Sequence, residues 1–120
     1  MKNKTLVFGA SIKTHRYSNI AMHSLVANNI KTVAFGLRKA VVAGVLIDTE
    51  LVPYSNIHTI SLYMNPQRQV PFYNYLIALA PERVIFNPGT ENMELVALLK
   101  QEGIPYEYAC TLVLLGTNQY

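Results

Sequence analysis

The residues best suited to chemistry gather in four short stretches, each following a β-compatible run. The first is Gly9-Ala10-Ser11-Ile12-Lys13-Thr14-His15-Arg16-Tyr17-Ser18-Asn19. A glycine there lets a ligand approach the backbone closely, and free N–H groups at the start of a following helix attract an anion. Lys13 and Arg16 add positive charge, while Ser11, Ser18 and Asn19 add hydrogen-bonding groups. Only Gly9 matches the G-x-G-x-x-G pattern of dinucleotide-binding loops, so the stretch also reads as an ordinary connection.

The second stretch is Phe35-Gly36-Leu37-Arg38-Lys39. An NAD site usually carries an acidic residue at this corner to hold two ribose hydroxyls. Arg38 and Lys39 instead suit an extra ribose phosphate, as in NADP or coenzyme A (CoA), through charge-assisted hydrogen bonds. Solvated surface charge is the plain alternative. The third and fourth stretches, Tyr63-Met64-Asn65-Pro66 and Asn87-Pro88-Gly89-Thr90-Glu91-Asn92, combine Asn with Pro or Gly, which could be turn chemistry or a ligand path. Tyr63 is a core candidate that could equally flank an adenine.

Other constellations are poor. His15, His23 and His58 lack the i, i+4 spacing of a helical metal pair, and no metal site is expected. Cys110 is the only cysteine, which excludes an internal disulfide and fits a reducing compartment; it reads as a buried small side chain rather than a nucleophile. Asp48 and Glu50 form no recognisable acid/base pair, and neither G-x-S-x-G nor a P-loop is present.

The elements that must position these stretches alternate in type. Thr5 to Phe8, Thr32 to Phe35, Ile57 to Met64, Arg83 to Phe86 and Pro105 to Ala109 read as strands. Helices are expected from Asn19 to Asn28 with Ser18 as N-cap, from Pro71 to Leu79 with Pro81 stopping it, and from Glu91 to Glu102 with Thr90 as N-cap and Gly103 ending it. Val41 to Ile47 could be a strand or a buried turn. Thr111 to Leu115 could extend the last strand or pack as a closing segment, and Gly116 to Tyr120 looks frayed. The alternation predicts an α/β fold: a doubly wound three-layer sandwich with a mainly parallel sheet of five or six strands. Ligands of such sheets bind at the carboxyl ends of the strands, where all four stretches lie.

Composition agrees. A chain of 120 residues makes one domain, and 51% hydrophobic with only 14% charged residues excludes disorder. The net charge of +3 is mild and unclustered, which suits a phosphate-bearing small molecule and not nucleic acid. Lys2 and Lys4 precede the apolar stretch Leu6 to Ala10, which is too short for a signal peptide, and the run Ala40 to Ile47 is too short for a membrane span. A soluble cytoplasmic protein without membrane contact is expected.

Val7-Phe8-Gly9-Ala10-Ser11 followed by Arg16-Tyr17-Ser18-Asn19 resembles the opening of the small stand-alone bacterial CoA-binding proteins, relatives of the CoA-binding domain of succinyl-CoA synthetase α subunits. The likeness continues through Lys39, Tyr63 to Pro66, Asn87 to Asn92 and Tyr108-Ala109-Cys110. The resemblance implies a Rossmann-like domain in which Gly9 to Asn19 holds the CoA phosphates and Lys39 approaches the adenosine end. Tyr63 to Pro66 and Asn87 to Thr90 would line the remaining path. Gly36-Leu37-Arg38 stands where the family often has an Asn-Pro or Ser-Pro pair before the basic residue. Three functions fit: a non-catalytic module for CoA or an acyl-CoA, an NADP-linked oxidoreductase-like domain, or a protein-interaction module with a decayed nucleotide site. Eight tyrosines and a low charge are compatible with a homo-oligomer or a protein partner.

Overall fold

The computed structural model describes residues 3–120; Lys2 of the N-terminal basic pair lies outside them. Seven strands form one sheet: β1 (Thr5–Ala10), β2 (Thr32–Gly36), β3 (Ala40–Val42), β4 (Val45–Asp48), β5 (Thr59–Leu62), β6 (Arg83–Phe86) and β7 (Tyr106–Tyr108). Five helices flank it: α1 (Tyr17–Ala27), α2 (Pro66–Gln69), α3 (Tyr73–Ala78), α4 (Met93–Gln101) and α5 (Thr111–Gly116), with a 3-10 turn at Val70–Phe72. The strand order is β3-β4-β2-β1-β5-β6-β7, every pairing being parallel except β3 with β4. The α/β doubly wound architecture is therefore as expected. The sheet has seven strands rather than five or six because residues 40–48 fold into a hairpin, whose turn residues Ala43 (φ 54°) and Gly44 (φ 79°) are both left-handed.

Alternation along the strands builds two cores. Leu6 and Phe8 point to one face with Ile60, Leu62, Val84 and Phe86, and Leu76, Leu95 and Leu99 cover it from α3 and α4. Val7 points to the other with Ala34 and Ile47, under Met22 and Leu25 of α1. The central strands are buried on both faces, so β5 reads as a continuous buried run.

Several local expectations are corrected. The N-cap of α1 is Arg16, without a side-chain cap bond, because the Ser18 hydroxyl is buried and accepts the Ser11 N–H instead. Thr90 does not cap α4: its hydroxyl donates to the Asn87 carbonyl, and Asn92 caps by accepting from the N–H groups of Glu94 and Leu95. The second helical stretch starts earlier than Pro71, at Pro66, because Asn65 accepts the Arg68 N–H and Pro66 suits the first turn. Thr111 to Gly116 is helical. The tail is not frayed: the hydroxyls of Tyr120 and Thr5 are hydrogen-bonded, and Arg83 lies 4.6 Å from the Tyr120 ring centroid.

The crossing segment between β4 and β5 is pinned by tyrosines. Tyr54 donates to the Asp48 carboxylate and Tyr75 hydrogen-bonds the Val52 carbonyl at 2.5 Å. Among the described residues, no helix is long and apolar enough to cross a membrane.

Two outcomes follow from these contacts. A Cβ on Gly36 would sit 2.2 Å from the Ala10 carbonyl oxygen, so Gly36→Ala should lower the urea-unfolding free energy by about 1–3 kcal/mol. Burial, then the Asp48 charge, pushes the Tyr75 hydroxyl up to about 12. The unfolded chain releases that proton near its ordinary value of about 10. The associated stability is thus full below that pH and falls as pH rises through the folded value. Urea midpoints taken across that interval should decline in the wild type, and Tyr75→Phe should decline less steeply.

Candidate functional site

The site is built around a break in β1. Pairing of β1 with β2 shifts register between Phe8 and Ala10, and Gly9 at the bulge takes φ +101°. A Cβ there would meet the Met64 nitrogen and the Tyr63 carbonyl carbon, both at 3.1 Å. Gly36 of β2 faces the Ala10 carbonyl from the other side. Three strand ends thus meet backbone to backbone, at the point where the strand order reverses direction between β2 and β5.

A cleft of about 880 Å³ opens there between the loops after β1, β2, β5 and β6. Lys13, Arg16, Arg38 and Arg68 line it, and no acidic side chain does. None of these cations takes part in an ion pair or side-chain hydrogen bond among the described residues. Gly9, Ala10, Ser11, Tyr63, Asn65, Gly89 and Thr90 also line the cleft, together with apolar surface from Phe35, Leu37, Met64 and Phe72. No side chain caps α1, whose N-cap Arg16 sits on the rim, whereas Asn65 and Asn92 cap α2 and α4.

Five of the residues singled out in the sequence do not line the cleft: Ser18, Asn19, Lys39, Pro66 and Asn87. Ser18 and Asn19 clasp the loop from α1, Ser18 accepting the Ser11 N–H and the Asn19 amide donating to the Ser11 carbonyl at 2.9 Å. Asn87 is buried and committed, donating to Ser61 and to the Leu62 carbonyl and accepting the Thr111 N–H at 2.8 Å. Pro66 starts α2, and Lys39 is exposed beyond the rim.

Arg68 is the functional candidate that sequence reasoning missed. The signal was Asn65-Pro66, a cap followed by a first-turn proline, which sets a short helix on the rim with Arg68 in it. Tyr63 bridges the cleft and the core below, and burial pushes its hydroxyl up. Cys110 is half-buried rather than buried and lies outside the lining. His58 contacts Thr59 and Glu82 beside the amino end of β5, away from the cleft. Among the described residues, no cluster of His, Cys, Asp or Glu could hold a metal ion.

A backbone-floored cleft at the topological switch point, rimmed by unpaired cations, has the charge and shape to accept an anionic small molecule. Residues 3–116 match the family model described as CoA binding domain. The chain belongs to that family. This CoA-binding domain is of the kind found in the succinyl-CoA synthetase α subunit. It is similar to the crystal structure of an uncharacterized protein, with 40% identity and a TM-score of 0.96 over 100% of this chain and 99% of that one. The fold is shared with a Thermus thermophilus protein described as cell-free ID.343, at 16% identity and TM-score 0.87 over 99% of this domain and 91% of that chain. It is shared also with a hypothetical protein from Pyrococcus horikoshii OT3, at 21% identity and TM-score 0.81 over 92% and 79% of the two chains. No curated protein matches it significantly.

The clasp on the first loop of the domain is open to test. Removing the amide in Asn19→Ala leaves the Ser11 carbonyl without its donor, which should cost about 1–3 kcal/mol of stability. Amide exchange by NMR should quicken from Ser11 to Arg16 while the β5 and β6 amides stay protected.

Proposed function

We propose that this protein binds CoA or an acyl-CoA in the cleft and performs no chemistry on it by itself. The observation that carries the reading is the set of four unpaired cations around a cleft that no acidic residue lines. CoA brings a diphosphate and a ribose 3′-phosphate, and few small metabolites match so many separated positive charges. In this reading the Gly9 to Arg16 loop and the uncapped start of α1 hold the diphosphate. Arg38 takes the ribose phosphate in preference to Lys39, because Arg38 lines the cleft and Lys39 does not. The pantetheine arm runs on between Met64 and Thr90 toward Gly89, along the loops after β5 and β6.

The absence of chemistry is proposed from the lining. Ser11, Tyr63 and Thr90 supply hydroxyls, but no His, Asp, Glu or Cys stands among the lining residues to activate them. A cytoplasmic setting belongs to the same proposal, as does action on a partner that uses the bound thioester. NADP is the second reading, since Arg38 would serve a 2′-phosphate equally well.

Calorimetric titration with CoA, dephospho-CoA and NADPH separates these readings. CoA should bind most tightly and, at about 100 times its dissociation constant, add roughly 2.7 kcal/mol to stability. Arg38→Ala should weaken CoA about tenfold, the scale of one lost charged contact, with a smaller effect on dephospho-CoA and a smaller effect from Lys39→Ala. Tighter binding of NADPH, or no binding of any of the three, would remove the CoA assignment.

A further inference from the structure

Gln69 closes α2 and is wholly buried, with 0% of its surface exposed. Its side-chain nitrogen donates both protons across a gap between two loops, to the Met64 carbonyl at 2.8 Å and to the Thr90 carbonyl at 2.9 Å. Both acceptor residues line the cleft, Met64 from the loop after β5 and Thr90 from the loop after β6. The direction of the amide is set by its partners, since two carbonyls can only accept. Its oxygen is held from behind by the Asn92 amide at 2.9 Å.

Asn92 is itself fully used. Its second N–H bonds the Tyr73 hydroxyl at 2.9 Å, and its oxygen caps α4 through the N–H groups of Glu94 and Leu95. The Tyr73 hydroxyl donates in turn to the Glu94 carboxylate at 2.9 Å. One wall of the cleft is therefore tied through a buried, fully satisfied chain to the N-cap of α4. In such a network each lost donor leaves a buried acceptor unpaired, and the loops must move to recover it.

We propose that Gln69 is the positioning residue of the site, setting the separation of Met64 and Thr90 and so the width of the channel for the pantetheine arm, with Asn92 fixing Gln69. This rests on the CoA reading and goes beyond it. Gln69 does not line the cleft; it acts through the backbone of the two loops. The Gly9 to Arg16 loop and Arg38, on the opposite wall, share no hydrogen bond with it among the described residues and should keep their hold on a nucleotide when it changes.

The test uses two probes, CoA and adenosine 3′,5′-bisphosphate, which carries the phosphorylated nucleoside without the pantetheine arm. Each is titrated calorimetrically into the wild type, Gln69→Leu and Asn92→Asp, with thermal melts of all three. In Gln69→Leu the affinity for CoA should fall about tenfold, the loss expected when two buried carbonyls lose one shared donor, and the bisphosphate should bind as before. Asn92→Asp keeps the helix cap but sets a carboxylate oxygen against the Gln69 oxygen, two acceptors facing each other, so it should show the same CoA-selective loss even where Gln69→Leu does not fold. Equal losses for both probes, or no loss of CoA affinity in a folded variant, overturn the proposal while leaving CoA binding intact. A wild type that binds neither probe overturns the CoA reading and this proposal with it.

Discussion

The close approach of three strand ends is the constraint on which the site depends. Gly9 must lack a side chain because the end of β5 lies against it, and Gly36 must lack one because the bulge at Gly9 turns the Ala10 carbonyl toward β2. A methyl at either position would force apart the strands on the two sides of β1, and those strands carry opposite walls of the cleft. The bulge thus converts a sheet-pairing defect into an exposed backbone floor. It also explains why the cations sit on loops: with the floor made of main chain, the charge must come from the rim.

The two walls are built differently. On the side of β1 and β2, the loops are exposed and carry Lys13, Arg16 and Arg38, held mainly by the Ser18 and Asn19 clasp on Ser11. On the side of β5 and β6, buried amides do the holding: Asn87 ties β6 to β5 and to the start of α5, and Gln69 with Asn92 ties the loops to α4. Polar side chains that look like ligand contacts in a sequence are here consumed as braces. Their burial is tolerated because each donor and acceptor finds a partner.

Legibility in the sequence follows the range of the interactions involved. β6 was readable to the residue, since Pro81-Glu82 and Asn87-Pro88-Gly89 bracket four apolar or amphipathic residues. The alternation of β1, α1, β2, β5, α3, β6, α4 and β7 and the family likeness were readable for the same reason, being carried by local patterns. The hairpin at residues 40–48 was not, because its turn sets Ala43 rather than Asn or Gly in the first left-handed position. Ser18 and Thr90 have the right chemistry for caps, but each hydroxyl is drawn into a loop contact whose partner lies several residues away. Tyr120 could not be read as packed, because the groups that anchor it, Thr5 and Arg83, belong to distant strands. In the site, ten of the residues singled out line the cleft, and the rest support it or stand beyond it. Arg68 was hidden because the sequence places the helix start at Pro71, three residues beyond it.

The exposed, unneutralised rim has a kinetic consequence. Positive charge collected on one mouth of a mildly basic molecule produces a local field that draws a polyanion in from beyond contact distance. Such attraction fades over a Debye length of about 8 Å at physiological ionic strength. Capture of a phosphorylated ligand would therefore slow as salt is added, whereas its escape would be governed by the braced wall, whose packed amides feel little screening.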